Sequence, residues 1–150
     1  MMGQNGYIFS CIRYYVNYAF TEFSSDWSFA NMASSASAKG LLTGVFEAVL
    51  NQPDKGRFTI NQYDDKSRLI RCDSKETLSN NTLSADYSYN FSGALIRSDS
   101  RYGNRYSLRL DYNYDHAGRE KNIICVLGYG TTHYTSPLRA FTYDSHGRIS

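Results

Sequence analysis

Asp144, Ser145 and His146 put the three side-chain types of a hydrolase triad in consecutive positions. A working triad instead gathers its members from separate parts of a fold, with the nucleophile raised on a sharp turn. Sequence neighbours do not converge in that way and no nucleophile elbow precedes them, so no catalytic residue is expected here. The histidines are His116, His133 and His146. Zinc needs ligands meeting at short range, whereas His116 and His146 read as solvated spacer residues of turns, so no metal site is expected. Gly128-Tyr129-Gly130 lacks the third glycine and the following helix of a dinucleotide loop, and no cofactor is expected. Cys11, Cys72 and Cys125 form no CxxC pair, and an odd count leaves at least one thiol free or intermolecular. They read as small apolar strand residues. Asn80-Asn81-Thr82 and Asn90-Phe91-Ser92 match a glycosylation sequon, a short pattern that arises often by chance.

His116 and His146 occupy the same place in a phrase that the chain repeats: Tyr-Asp, two spacers, Gly-Arg. It is complete in Tyr114-Asp115-His116-Ala117-Gly118-Arg119 and in Tyr143-Asp144-Ser145-His146-Gly147-Arg148. Tyr63-Asp64-Asp65-Lys66-Ser67-Arg68 has Ser for Gly, and Tyr89-Asn90-Phe91-Ser92-Gly93-Ala94 has Asn for Asp and Ala for Arg. The tyrosines are 26, 25 and 29 residues apart, a spacing that marks a repeat architecture.

The elements that must carry this phrase are hairpins. Tyr87/Tyr89, Tyr112/Tyr114 and Phe141/Tyr143 alternate with polar residues, which puts each pair on one face of a strand. Asp or Asn then opens a type I turn, accepting a hydrogen bond from the backbone two residues on. The Gly at the fourth turn position suits a left-handed residue that completes a G1 bulge. Ser67 in that position is expected to cost about 1 kcal/mol relative to Gly. The Tyr and Arg residues read as sheet-packing groups and the Asp residues as turn formers, not general acids. Because Ala94 replaces it once, the Arg is not needed in every unit.

The phrase resembles the YD repeat of RHS-type proteins. Leu108 to Arg119 followed by Phe141 to Ile149 looks like the paired repeats of that family. Gly40 to Leu50, then Gln62 to Ile70, resembles a segment order of large RHS proteins of Bacteroidota, with Arg13 to Phe20 like the Tyr-rich segment before it. The likeness covers most of the chain and is weakest over residues 21 to 38. It implies a long β-sheet that spirals into a hollow shell around a C-terminal toxin or processed domain. It also implies an exported or cell-surface parent with many more repeats and a self-cleaving segment that this sequence does not show. The sequence stops three residues after Gly147, inside a returning strand, which reads as a fragment.

Composition agrees with an ordered sheet. The 150 residues include 14 Tyr and 8 Phe against 1 Trp and 2 Pro, too aromatic for a disordered chain. Sixteen basic and 14 acidic residues leave a net charge of +2 with no clustered basic face, so nucleic acid is not an expected partner. The start lacks a basic n-region, and Ser10, Arg13 and Asn17 interrupt the apolar stretch from Tyr7, so neither a signal peptide nor a membrane span is read there.

Along the chain, residues 1 to 44 read as Tyr-rich leading strands and a Ser/Ala-rich loop, and residues 45 to 150 as one continuous repeat sheet. Strands are expected at Tyr7 to Phe9 and Ile12 to Val16. Residues 21 to 39 read as a loop, with a weak helix signal from Phe29 to Ala36. Strand character restarts at Gly40. Asn51 to Gly56 reads as a turn, and Asp73 to Asn81, Ser98 to Tyr106 and Gly128 to Thr132 as connectors. The expected fold is all-β, an antiparallel meander of hairpins in an open, curved sheet. The expected role is structural: a non-enzymatic piece of a repeat shell that encloses or displays another domain. Its expected partners are further repeats of a longer parent, or a second copy meeting its open edges. The alternative is a carbohydrate- or protein-binding sheet that uses exposed Tyr102, Tyr129 and Tyr134 as stacking platforms.

Overall fold

The computed structural model describes residues 11–16, 18, 38–49 and 52–150. They form nine strands and, among the described residues, no helix. These are β1 (Cys11–Val16), β2 (Ala38–Val49), β3 (Gln52–Tyr63), β4 (Leu69–Glu76), β5 (Thr82–Tyr89), β6 (Leu95–Tyr102), β7 (Tyr106–Tyr114), β8 (Glu120–Tyr129) and β9 (Thr132–Ala140). Strand order is chain order and the described pairings are antiparallel, so the protein is an open all-β meander of hairpins. None of the described residues belongs to a helix long and apolar enough to cross a membrane. The chain divides into two compact units, Met1–Thr82 and Leu83–Ser150. The expected strand at Tyr7 to Phe9 and the weak helix from Phe29 to Ala36 lie outside the described residues.

In the first unit, alternation along β3 selects the core. Phe58, Ile60 and Gln62 share one face and are 8%, 0% and 4% exposed. Phe46 stands opposite Phe58 on β2, with ring centroids 4.6 Å apart, and Tyr14 and Tyr18 pack against the same cluster. The core face also buries Asp73, which pairs across β3/β4 with Ile60. Its carboxylate accepts two hydrogen bonds from Arg71, from Nε at 2.7 Å and Nη2 at 3.0 Å, so the buried charge is answered by a bidentate partner.

In the second unit, Leu108, Leu110 and Tyr112 on β7 face Leu127, Cys125 and Ile123 on β8. The intervening residues Arg109 and Asp111 face the other way and join an ion-pair cluster: Asp111 accepts from Arg97 Nε at 2.6 Å across the β6/β7 ladder and from Arg109 Nε at 3.0 Å. Strand β7 is therefore two-faced, apolar on one side and charged on the other.

Strand pairing corrects the reading of several stretches. Ser98 to Tyr102 is the second half of β6, and only 103–105 separate it from β7. Asp73 to Glu76 likewise belongs to β4, and Gly128-Tyr129 ends β8. Gln52 to Gly56 is strand, not turn: β3 starts at Gln52, with a register shift opposite Ala48/Val49. Ala38 and Lys39, read as loop, open β2. In each case pairing with a neighbouring strand, a relation between distant residues, holds in the ladder a stretch whose composition reads as a connector.

Candidate functional site

The repeated phrase folds the same way each time. The amide of Asp64, Asn90, Asp115 or Asp144 donates to the carbonyl of the residue four positions on, at 2.9 Å throughout. The amide of the residue at the glycine position donates back to the Asp or Asn carbonyl, at 3.0–3.1 Å. That residue is left-handed in every copy: Ser67 φ 62°, Gly93 φ 88°, Gly118 φ 78° and Gly147 φ 78°. These bonds make the expected type I turn with a G1 bulge, and in three of the hairpins the ladder slips once more just before Tyr63, Tyr89 and Tyr114, where Ile70, Ile96 and Lys121 are the extra residues. Because Ser67 carries a Cβ in the left-handed region, Ser67→Gly is expected to stabilise the protein by about 0.5–1 kcal/mol. Urea unfolding reads it, and a midpoint unchanged or lowered counts against this account of the turn.

The carboxylate does more than open the turn. Asp115 Oδ1 accepts from the amides of Ala117 and Arg119, each at 2.9 Å, and Oδ2 accepts from Arg119 Nε at 2.7 Å. Asp64 takes the same bonds from Lys66 and Arg68, and Asp144 from His146 and Arg148. The arginine is thus the clamp of its own turn. Its logic is visible in the second copy, where Asn90 replaces the carboxylate and Ala94 the arginine: both charges vanish together, and Asn90 Oδ1 keeps only the Ala94 amide and the Ser92 hydroxyl. That paired loss was the signal in the sequence for an Asp–Arg bond within each turn.

The hydrogen bonds from the Arg119 and Arg148 amides and guanidinium groups hold the carboxyls of Asp115 and Asp144 below their ordinary 3.8. At Asp64 partial desolvation pushes upward, but the bonds from Arg68 outweigh it and the net direction is again down. A carboxyl lowered by folding binds fewer protons in the folded state. Its stabilisation is present in full above the unfolded value near 3.8 and is lost as pH falls through the lower folded values. Stability is therefore expected to be flat near neutrality in these groups and to fall below about pH 4. In Asp64→Asn/Asp115→Asn/Asp144→Asn the acid limb of the stability–pH curve should flatten. An unchanged limb would mean that the turns do not drive acid unfolding.

The tyrosine of the phrase ties one hairpin to the one before it. Tyr114 Oη donates to the Leu95 carbonyl at 2.8 Å, and Tyr143 Oη to the Glu120 carbonyl at 2.6 Å. Leu95 and Glu120 are the residues that follow the arginine position of the preceding turn. Tyr143 makes a second contact with that hairpin: the Arg119 guanidinium lies 4.4 Å from its ring centroid. In the first unit Tyr63 Oη donates to the Leu42 carbonyl at 2.8 Å, and burial pushes the Tyr63 phenol up from its ordinary value. Tyr89 ends β5 and enters the Asn90 turn.

The three tyrosines singled out beyond the phrase do come together. Tyr102, Tyr129 and Tyr134 line one shallow depression of about 440 Å³ on the apolar face of the second unit, with Leu83, Leu108 and Leu127. Tyr106, which the sequence reading passed over, completes it: it pairs across the ladder with both Tyr102 and Tyr129, and its ring lies 5.2 Å from that of Tyr129. The signal was the Gly103-Asn104 turn, which folds Tyr106 back beside Tyr102.

The Asp144 carboxylate takes the His146 backbone amide and the Arg148 side chain, while the His146 ring lies 3.4 Å from Ser145 Oγ. His116, His133 and His146 are exposed, and among the described residues no three His, Cys, Asp or Glu side chains group as metal ligands. Cys11 is exposed, Cys72 and Cys125 are half-buried, and burial raises the Cys72 thiol. No family of known proteins matches the chain, and no curated protein matches it.

Proposed function

We propose that the chain is a non-enzymatic structural piece of an RHS/YD-type β-wall, which in a longer, exported parent protein encloses or displays an associated toxin or effector domain. The observation that carries this reading is the recurrent tie between hairpins. Tyr114 and Tyr143 each reach back to the same position of the preceding returning strand, so a tyrosine strand has a fixed seat on the hairpin before it. The ionisable groups of the phrase are committed to that construction: each carboxylate is filled by backbone amides and its own arginine. An intact mass of the protein isolated from its source tests the reading. A polypeptide well above 17.1 kDa whose peptides carry further Tyr-Asp turns is expected, and a natural product of 17.1 kDa overturns it.

A second reading has its own observation, the clustering of Tyr102, Tyr106, Tyr129 and Tyr134 around one depression. Each of these rings is 43% exposed or more, and together they form a platform for sugar rings or apolar peptide side chains. Glycan-array binding that disappears in Tyr106→Ala/Tyr129→Ala supports it, and binding unaffected by that change rejects it.

A further inference from the structure

Positive charge borders the tyrosine depression. At the turns that end β6 and β8 lies a second hollow of about 290 Å³, lined by Arg101, Gly103, Asn104, Arg105, Ser107 and Gly130. The Gly130 amide donates to the Arg105 carbonyl at 2.8 Å, which ties one turn to the other. Arg101, Tyr106 and Ser107 line both hollows, so the two adjoin. Among the described residues neither lining contains an Asp or a Glu. The other five arginines of this unit, Arg97, Arg109, Arg119, Arg139 and Arg148, each hold a carboxylate at 3.0 Å or less. Arg101 reaches Asp99 only at 3.6 Å, and its side chain is 63% exposed. Arg105 is exposed and makes no ion pair among the described residues. Arginine presents paired donors in a plane, which match a carboxylate. The Asn104 amide and the Ser107 hydroxyl add donors beside them.

The aromatic half fixes the rest of the ligand. Tyr106 and Tyr129 are tilted by 44° with centroids 5.2 Å apart, and they make an open trough rather than an enclosed pocket. A pyranose lays its flat CH face on such rings and keeps its hydroxyls in water, whereas an apolar peptide side chain gains most where it is enclosed. We infer that the two hollows form one site for an acidic glycan: a uronic-acid chain stacked on Tyr106 and Tyr129, with a carboxylate held by Arg101 and Arg105. The inference rests on the reading of the tyrosine cluster as a sugar platform and adds the charge that its ligand carries.

The test titrates the full chain with tetramers of galacturonate, glucuronate and mannuronate, each beside its methyl ester, which keeps the ring and removes the charge. Tyrosine ring resonances follow the binding. At least one acid is expected to bind about tenfold more tightly than its ester at low salt, and to lose that advantage at high ionic strength. In Arg101→Gln/Arg105→Gln the acid should bind no better than the ester, whose own binding reports that the variant is folded. Arg139→Gln removes a positive charge beside Glu120, away from the site, and should keep the preference for the acid. Acids that bind no better than their esters, a preference that survives the loss of both arginines, or equal binding of a poly-glutamate peptide would overturn the inference. The two readings fail separately. If acid and ester bind alike, the sugar platform stands and only its charge selection is rejected; if neither binds, both fall.

Discussion

Ile60→Ala is expected to lower the unfolding free energy by about 3–4 kcal/mol, most of what holds a marginal domain together. Ile60 is 0% exposed, the most deeply placed apolar side chain among the described residues. It sits on β3 between Phe58 and Gln62 on the same face, with Gly44 opposite on β2 and Asp73 opposite on β4. Gly44 contributes no side chain, and the space above it is filled by Ile60 together with Tyr14, which pairs with Gly44 from β1 and packs against the same cluster. Truncation removes the transfer free energy of three carbons and leaves a cavity that strand backbones cannot close. Urea unfolding of Ile60→Ala and of the milder Ile60→Val reads the effect. The valine variant should lose about 1 kcal/mol. Equal, small losses from both would place the core of this unit elsewhere.

Gly56→Ala is expected to be nearly as severe, a loss of about 3 kcal/mol, for an opposite reason. A Cβ at residue 56 would stand 2.2 Å from the Glu47 carbonyl oxygen and 2.6 Å from Phe46 Cε2. The first neighbour is backbone and cannot swing aside. Gly56 also receives Thr77: its amide donates to Thr77 Oγ1 at 2.8 Å and its carbonyl accepts from the Thr77 amide at 3.0 Å. Pushing the backbone away from Glu47 would strain those bonds together. Gly118→Ala is the comparison, since it also adds one methyl group but meets nothing within 4 Å and pays only for its φ of 78°. It should lose about 1–2 kcal/mol. If Gly56→Ala were the milder of the two, close approach would not be what keeps glycine there.

The turns were legible in the sequence because everything they need lies within six residues. Asp or Asn, two spacers and a left-handed residue fix a type I turn with a bulge wherever they occur, and Ser67 obeys the rule despite its side chain. The clamp inside each turn was missed, although its evidence was local. From composition the arginines read as sheet-packing groups, whereas Arg68, Arg119 and Arg148 each hold the carboxylate four residues before them.

The polar strands were not legible. Ser98 to Tyr102 has the composition of a connector, and what makes it a strand is pairing with β5 on one side and β7 on the other, in the ladder where Arg97 also meets Asp111. A partner fourteen residues away leaves no mark on a short window of sequence. The same holds for Asp73, whose burial follows from facing Ile60 across the ladder. Tyr106 was passed over for a related reason: its closeness to Tyr129 exists only once β7 and β8 are in register.

By itself, then, the order of residues determined that this chain reverses at Asp64, Asn90, Asp115 and Asp144 and that extended segments lie between, because turn chemistry and alternation act over neighbours. Only the tertiary structure decided which tyrosine reaches which carbonyl, which polar runs join the ladder, and which surface gathers the aromatic rings. Those outcomes depend on register between strands, a relation that no stretch of the chain carries alone.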